Sequence, residues 1–181
     1  EILFGKESPS GKLPTTYPKK LSDTPAYSCY RGKNLQMDYK EKLLVGYKWY
    51  EKKKIVPLFP FGHGLSYSKF ELKKVSLLKK KHEIKIKVKL KNIGNFSTFE
   101  TVQCYLERKA VKADTPKKKL VDFKKLKVTK DKSKKLTLKV SKRDLSEWDV
   151  KKSKWEIARG DYVIHVGTSV RDISITEEIK I

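Results

Sequence analysis

The side chains of this 181-residue chain that could carry chemistry are 3 histidines, 2 cysteines and 21 carboxylates. His63 is the most suggestive, since a lone imidazole can act as acid or base near neutral pH. No carboxylate or nucleophile stands beside it to complete such a centre. His63, His82 and His165 share no ligand spacing, which predicts no metal site. Cys29 and Cys104 lie far apart, without metal or redox spacing, and leave the redox compartment open. Cys104 falls on the apolar side of Val102-Gln103-Cys104-Tyr105-Leu106, where a thiol serves as a small core residue. Gly5 through Gly11-Lys12 approaches a phosphate-binding loop, but it has one spacer too many, Pro9 inside it, and Leu13 where Ser or Thr would hold magnesium. That match is rejected.

His63 belongs to Leu58-Phe59-Pro60-Phe61-Gly62-His63-Gly64-Leu65-Ser66-Tyr67. Pro60 forbids a central strand or helix interior, and Gly62 and Gly64 supply backbone freedom on either side of the imidazole. So many rings in a turn-prone run are too apolar for a solvated linker. The run reads as a buried corner where two folding units meet, and His63 as a structural residue of that corner.

The formal net charge of +23 raises a nucleic-acid hypothesis. The arginines are few, Arg31, Arg108, Arg143, Arg159 and Arg171, whereas base and phosphate readers favour the guanidinium fork. Lys85, Lys87, Lys89 and Lys91 alternate with apolar residues, as on the solvated face of a strand, where lysine discourages edge-to-edge pairing. No specific nucleic-acid partner is expected. No apolar run reaches membrane-spanning length, and no signal-peptide pattern is present, so no membrane partner is expected either. The cellular compartment stays unknown.

Residues 1 to 40 carry turn chemistry at Ser8-Pro9-Ser10-Gly11-Lys12-Leu13-Pro14, Tyr17-Pro18 and Thr24-Pro25. Glu1-Ile2-Leu3-Phe4-Gly5 reads as a strand end, and its abrupt start without Met as that of a cut chain. The aromatic-rich residues 41–50 are expected as a strand or extended arm. From Phe70 onward the pattern becomes short strands of period two. Phe70, Leu72, Val75 and Leu77 mark the first, and Ile84, Ile86, Val88 and Leu90 the second. Val102, Cys104 and Leu106 form the next face, and Leu120, Val121 and Phe123 a shorter strand. Leu136, Leu138 and Val140 follow; Trp155 and Ile157 lead through Arg159-Gly160-Asp161 to Tyr162, Ile164 and Val166. Ile173, Ile175 and Ile179 finish. Asp144-Leu145-Ser146-Glu147-Trp148 is expected as one short turn. The pattern predicts a mainly β chain, an antiparallel Ig-like sandwich of seven or eight strands.

The motifs resemble, in order and across essentially the whole chain, the C-terminal third or so of family 3 glycoside hydrolases of the β-glucosidase type. The matching pieces are Pro9 to Pro14, Val45-Gly46-Tyr47-Lys48-Trp49-Tyr50, Leu58 to Tyr67, Asn92-Ile93-Gly94, Val102 to Leu106, Asp144 to Trp148, and Gly160-Asp161-Tyr162. The resemblance implies that residues 1–40 are the tail of an α/β sandwich domain, 41–67 an interdomain connection, and 68–181 a fibronectin type III-like sandwich. Lys42 stands where the family usually has Gly, and Lys48 where Arg is usual.

The resemblance also implies what is absent. Family members are retaining enzymes with an Asp nucleophile and a Glu acid/base. Both belong to upstream parts of the family's chains, and neither motif occurs here. No catalytic, substrate-binding or metal residue is therefore assigned, and no cofactor is expected. Most carboxylates here are expected on outward strand faces beside lysines. The implied partners are the upstream barrel and α/β domains of the same enzyme, with a β-glycoside or oligosaccharide reached through them; a homodimer stays open. The alternative is a stand-alone basic sandwich that binds polyanions or acidic polysaccharide. Asn95-Phe96-Ser97 is a glycosylation sequon only in a secretory setting. Arg159-Gly160-Asp161, expected at a hairpin, reads as a turn with incidental charges.

Overall fold

The computed structural model describes residues 1–32, 34, 36–80, 83–111 and 115–181; His82 lies outside the described residues. The sandwich follows the expected antiparallel pattern. β1 (Phe70–Lys79), β2 (Glu83–Asn92) and β5 (Ser133–Ser141) form one sheet in the order β1-β2-β5. β3 (Thr98–Arg108), β4 (Lys118–Val128), β8 (Asp161–Gly167) and β9 (Ile173–Lys180) form the second, in the order β4-β3-β8-β9. β6 (Ser146–Asp149) and β7 (Lys154–Ile157) make a two-stranded ribbon apart from both.

Period-two patterning explains the core directly. Ile84, Ile86, Val88 and Leu90 of β2 face inward with Leu136, Leu138 and Val140 of β5, and they meet Val102, Cys104, Leu106, Ile164 and Val166 of the facing sheet. Each such side chain contributes roughly 1.5–3 kcal/mol by leaving water. Cys104 is fully buried, as expected, and burial pushes its thiol pKa up to about 12. At the open side of the sandwich the Asp122 carboxylate accepts the amides of Phe123 (2.8 Å) and Lys139 (2.8 Å), tying the edge of β4 to the edge of β5.

Five local expectations are corrected. In β1 the register shifts between Lys74 and Ser76, so Val75 sits in a bulge and is exposed, and the inward parity moves from Leu72 to Leu77. The strand signalled by Leu120 to Phe123 runs the full 11 residues of β4, its lysines continuing the ladder with β3. Of the expected turn at 144–148, only Asp144 and Leu145 lie in a turn (142–145), and Ser146, Glu147 and Trp148 belong to β6. Arg159-Gly160-Asp161 is not a hairpin tip: it crosses from the ribbon to β8, and Gly160 exchanges two backbone hydrogen bonds with Ile181. Ile2 to Gly5 form a turn rather than a strand, closed by Gly5 N–H on the Ile2 carbonyl (2.9 Å) and Lys6 N–H on that of Glu1 (3.0 Å). Apolar residues make a strand only where a neighbouring strand accepts their amides.

Ile86→Ala is expected to lower unfolding free energy by about 3 kcal/mol through the cavity it leaves. Val75→Ala, on the exposed bulge, should stay within about 0.5 kcal/mol. Urea denaturation of both variants checks the inward register of β1 and β2.

Candidate functional site

The chain's polar chemistry gathers where residues 8–67 lie against the sandwich. Two extended stretches run antiparallel there. Leu13 N–H donates to the His63 carbonyl (2.8 Å) and Gly62 N–H to the Leu13 carbonyl (2.9 Å). Farther along, Tyr17 N–H donates to the Phe59 carbonyl (2.9 Å) and Leu58 N–H to that of Tyr17 (2.8 Å). Gly64 is needed because a Cβ there would stand 2.2 Å from the Gly11 carbonyl oxygen.

Gln103, only 3% exposed, is the polar hub of this seam. Its amide nitrogen donates to the Thr168 carbonyl (2.7 Å) and to that of Gly62 (3.3 Å), while its oxygen accepts the Tyr105 hydroxyl. Gly62 has a φ of 78°, and a Cβ there would meet the Gln103 side chain at 2.3 Å. Val170 N–H donates to the Phe61 carbonyl (3.1 Å), so the loop between β8 and β9 grips the same turn. Asn92 is a second hub, fully buried. Its oxygen accepts Ser68 Oγ (2.6 Å) and Gly94 N–H (3.0 Å), and its nitrogen donates to the carbonyls of Phe96 (2.6 Å) and Val128 (2.9 Å). Neither amide leaves a group unsatisfied, which is what makes such burial tolerable.

Residues 47–53 are helical, not extended: Tyr47–Lys53 forms α1. The strand propensity of its aromatics gives way to packing at helical spacing. Tyr47 stacks on Phe61 at 4.7 Å and sets its edge to Tyr105 at 6.1 Å. One turn on, Tyr50 is buried, and Glu51 pairs with Arg171 (2.9 Å) and Lys118 (3.2 Å). Tyr47 Oη accepts the Leu120 amide at 2.7 Å; burial raises the pKa of Tyr47 and, further, that of Tyr105. These hydroxyls are structural hydrogen-bonding groups at any ordinary pH. Lys12 and Glu100 form a nearly buried ion pair at 2.8 Å.

His63 lies on this seam, partly buried rather than enclosed, with its ring 5.3 Å from that of Phe59. The expected buried corner is therefore uneven. Gly62 is buried and Phe61 is packed on Tyr47, while Leu58, Phe59, Leu65 and Tyr67 remain exposed. Among the described residues, no group of three His, Cys, Asp or Glu side chains gathers as a metal site would require. Outward carboxylates beside lysines are common, as expected, but Glu51, Glu100 and Glu107 are drawn into the seam or the sheet. Gln103 and Asn92 were not singled out from sequence. The available signal was, for Gln103, an amide inside the apolar run Val102–Leu106 and, for Asn92, an amide at a position where the alternation of β2 calls for an apolar residue. Lys42, at the position where the resembling family favours Gly, has a φ of 51°, the left-handed region that Gly adopts without strain.

Comparison with known proteins follows the same division of the chain. Residues 1–67 match the glycosyl hydrolase family 3 C-terminal domain, and residues 100–170 match a fibronectin type III-like domain. Over its whole length the chain is 38% identical to thermostable beta-glucosidase B of Acetivibrio thermocellus, covering 24% of that protein. It is 35% identical to beta-glucosidase BoGH3A of Bacteroides ovatus, over 96% of this chain and 24% of that one. The chain belongs to glycosyl hydrolase family 3. It spans about a quarter of the length of these family 3 relatives, in their C-terminal part. The solved family 3 beta-glucosidase of Bifidobacterium adolescentis superposes with a TM-score of 0.93 at 31% identity, over 99% of this chain and 27% of that one.

One titratable cluster borders the seam of this family 3 chain. His165 Nε2 lies 2.8 Å from Glu107, which also receives Lys117 at 2.7 Å. Burial lowers the His165 pKa below its usual 6.5, and the pull of Glu107 only partly offsets it. Burial acts to raise the Glu107 carboxyl, but hydrogen bonds from Lys117 and His165 outweigh it and hold it below 4.5. Both folded pKa values are depressed, so the unfolded chain binds protons first. Stability should be fully present above pH 6.5, fall as His165 is forced to charge below it, and fall again below 4.5. Unfolding free energies between pH 4 and 8 should show this slope, and His165→Gln should flatten its upper part. Gln103→Leu strands the Tyr105 hydroxyl and the carbonyls of Gly62 and Thr168; it should cost about 2–3 kcal/mol and open residues 58–67 to proteolysis.

Proposed function

We propose that this chain is the non-catalytic C-terminal portion of a retaining β-glycosidase, in which the sandwich packs on the catalytic domains and stabilises them. The carrying observation is where the chain exposes apolar surface. Of the large apolar side chains left exposed among the described residues, 16 lie within residues 1–67 and 9 in the longer remainder. Leu3 is 93% and Phe4 85% exposed, and Leu21, Tyr30, Tyr39 and Leu65 each exceed 70%. The same segment is locked to the sandwich through Gln103, Tyr47 and Glu51. It is thus an adaptor, with one side docked and the other offering apolar contact to a further protein surface.

In this reading residues 1–40 are the tail of an α/β sandwich domain, 41–67 the connection and 68–181 the fibronectin type III-like unit. The end of the first family match at residue 67 supports the boundary between the connection and the sandwich, while that match runs unbroken across residue 40. The parent hydrolyses terminal, non-reducing β-linked glucose or a related sugar. The nucleophilic Asp, the acid/base Glu and the sugar pocket belong to its upstream domains. The names of the family 3 relatives, all beta-glucosidases among those described above, support glucose as the first substrate to try.

The full-length protein should hydrolyse p-nitrophenyl β-D-glucopyranoside with retention, whereas the 181-residue chain alone should not. A parent ending before Tyr67 should lose both activity and melting temperature. Unchanged values in that truncation would sink the stabilising role.

A further inference from the structure

The outward face of the β1-β2-β5 sheet is a lysine lattice with too few carboxylates. Strand register places Lys73, Lys89 and Lys135 in one row across all three strands, and Lys85 opposite Lys139 in another. Lys87 lies between these rows, flanked by Ser76 and Thr137. Neighbouring strands are about 4.8 Å apart, and like charges directly opposite one another destabilise a sheet. Glu71 and Glu83 sit near the ends of this face and are engaged by Lys73 (3.1 Å) and Lys85 (2.8 Å). Among the described residues no carboxylate forms an ion pair with Lys87, Lys89, Lys135 or Lys139.

Beside this lattice, β4 brings Lys124 and Lys125 up to Lys87 and Lys135 around a shallow groove of about 650 Å³ floored by Leu126 and Leu136. No carboxylate lines the groove. Asp122, two residues away, has both oxygens committed to the backbone amides of Phe123 and Lys139. Four lysines thus line one concavity, the Lys125 ammonium lying over the Phe99 ring (5.5 Å), and among the described residues none of the four forms an ion pair with a carboxylate.

We propose that this groove, with the lysine rows leading from it, binds an acidic polysaccharide, a sugar chain bearing carboxylates. The surface is complementary in charge to such a chain, and the leucines offer an apolar floor for the C–H faces of its rings. No aromatic ring lines the groove to stack a base, and no arginine lines it to clasp phosphate, which disfavours nucleic acid. The exposed apolar side chains of this sheet, Leu78 opposite Lys85 and Val75 in the bulge, stand singly and do not form the apolar face that membrane adsorption favours. The inference is independent of the hydrolase reading, since it uses only the sandwich.

The test titrates the intact protein with polygalacturonate, neutral dextran, poly(rA) and phosphatidylserine vesicles at low and at physiological salt. Polygalacturonate should bind at low salt, weaken steeply as salt rises, and exceed poly(rA) and vesicles in affinity; dextran should not bind. The quadruple variant Lys87→Gln, Lys124→Gln, Lys125→Gln, Lys135→Gln should bind roughly tenfold more weakly or worse, by loss of counterion release. A control with the same loss of charge elsewhere, Lys19→Gln, Lys20→Gln, Lys130→Gln, Lys151→Gln, should bind as the unchanged protein does. All eight lysines are exposed, and a melting curve for each variant verifies that it is folded. Equal weakening in both variants, tighter binding of poly(rA) or vesicles, or no binding of polygalacturonate at low salt would each overturn the proposal.

Discussion

The architecture depends on β3 being buried on both faces. Val102, Cys104 and Leu106 close the sandwich core, while Gln103 and Tyr105 on the reverse face are covered by the turn at Phe61-Gly62 and by α1. A central strand covered on one side only would have left a polar outer face in water. Here the cover is irregular chain, whose backbone needs partners, and Gln103 supplies them. A single amide reads one carbonyl on the connector and one on the β8–β9 loop, so the seam is defined by direction as well as by area. Apolar contacts such as Tyr47 on Phe61 add stability but would tolerate sliding.

The sandwich was legible in the sequence because strict alternation leaves little choice. A one-residue slip in β2 would exchange Ile84, Ile86, Val88 and Leu90 for four lysines. What escaped had two causes. Local patterning does not reveal partners, so the apolar stretch Ile2 to Gly5 read as a strand, and Tyr47 to Tyr50 as an arm although their packing follows helical spacing. Nor does alternation reveal its own interruptions, and the bulge at Val75 appears in the sequence only as an apolar residue out of phase. The seam was legible in outline, through the Phe-Pro-Phe-Gly-His-Gly string. Its polar hubs were not, because an isolated Gln or Asn gives no hint of which carbonyls will reach it.

Charge and hydrophobicity are distributed unequally over this molecule. Lysine crowds the outer face of the sandwich, and exposed apolar side chains crowd the first 67 residues. The first arrangement holds other copies of the protein at a distance, with a reach of about 10 Å at moderate salt. The second would be adhesive if left open. A protein displaying both can present a sticky surface to a partner held beside it while remaining dispersed, since approach of another copy from the sandwich side is repelled.

The pairing of Leu13–Tyr17 with Leu58–His63 also has a topological meaning. Chain enters and leaves the intervening excursion at almost the same place, pinned at both sides by backbone hydrogen bonds. Between Pro18 and Pro57 the chain is therefore a closed detour whose ends are held by backbone hydrogen bonds and whose last part, α1, is itself docked on the seam. Lengthening such a detour costs only about 0.6 kcal/mol per doubling. Evolution could enlarge the stretch ahead of α1 without disturbing the sandwich or the seam, making residues 18–46 the part of the fold freest to diversify.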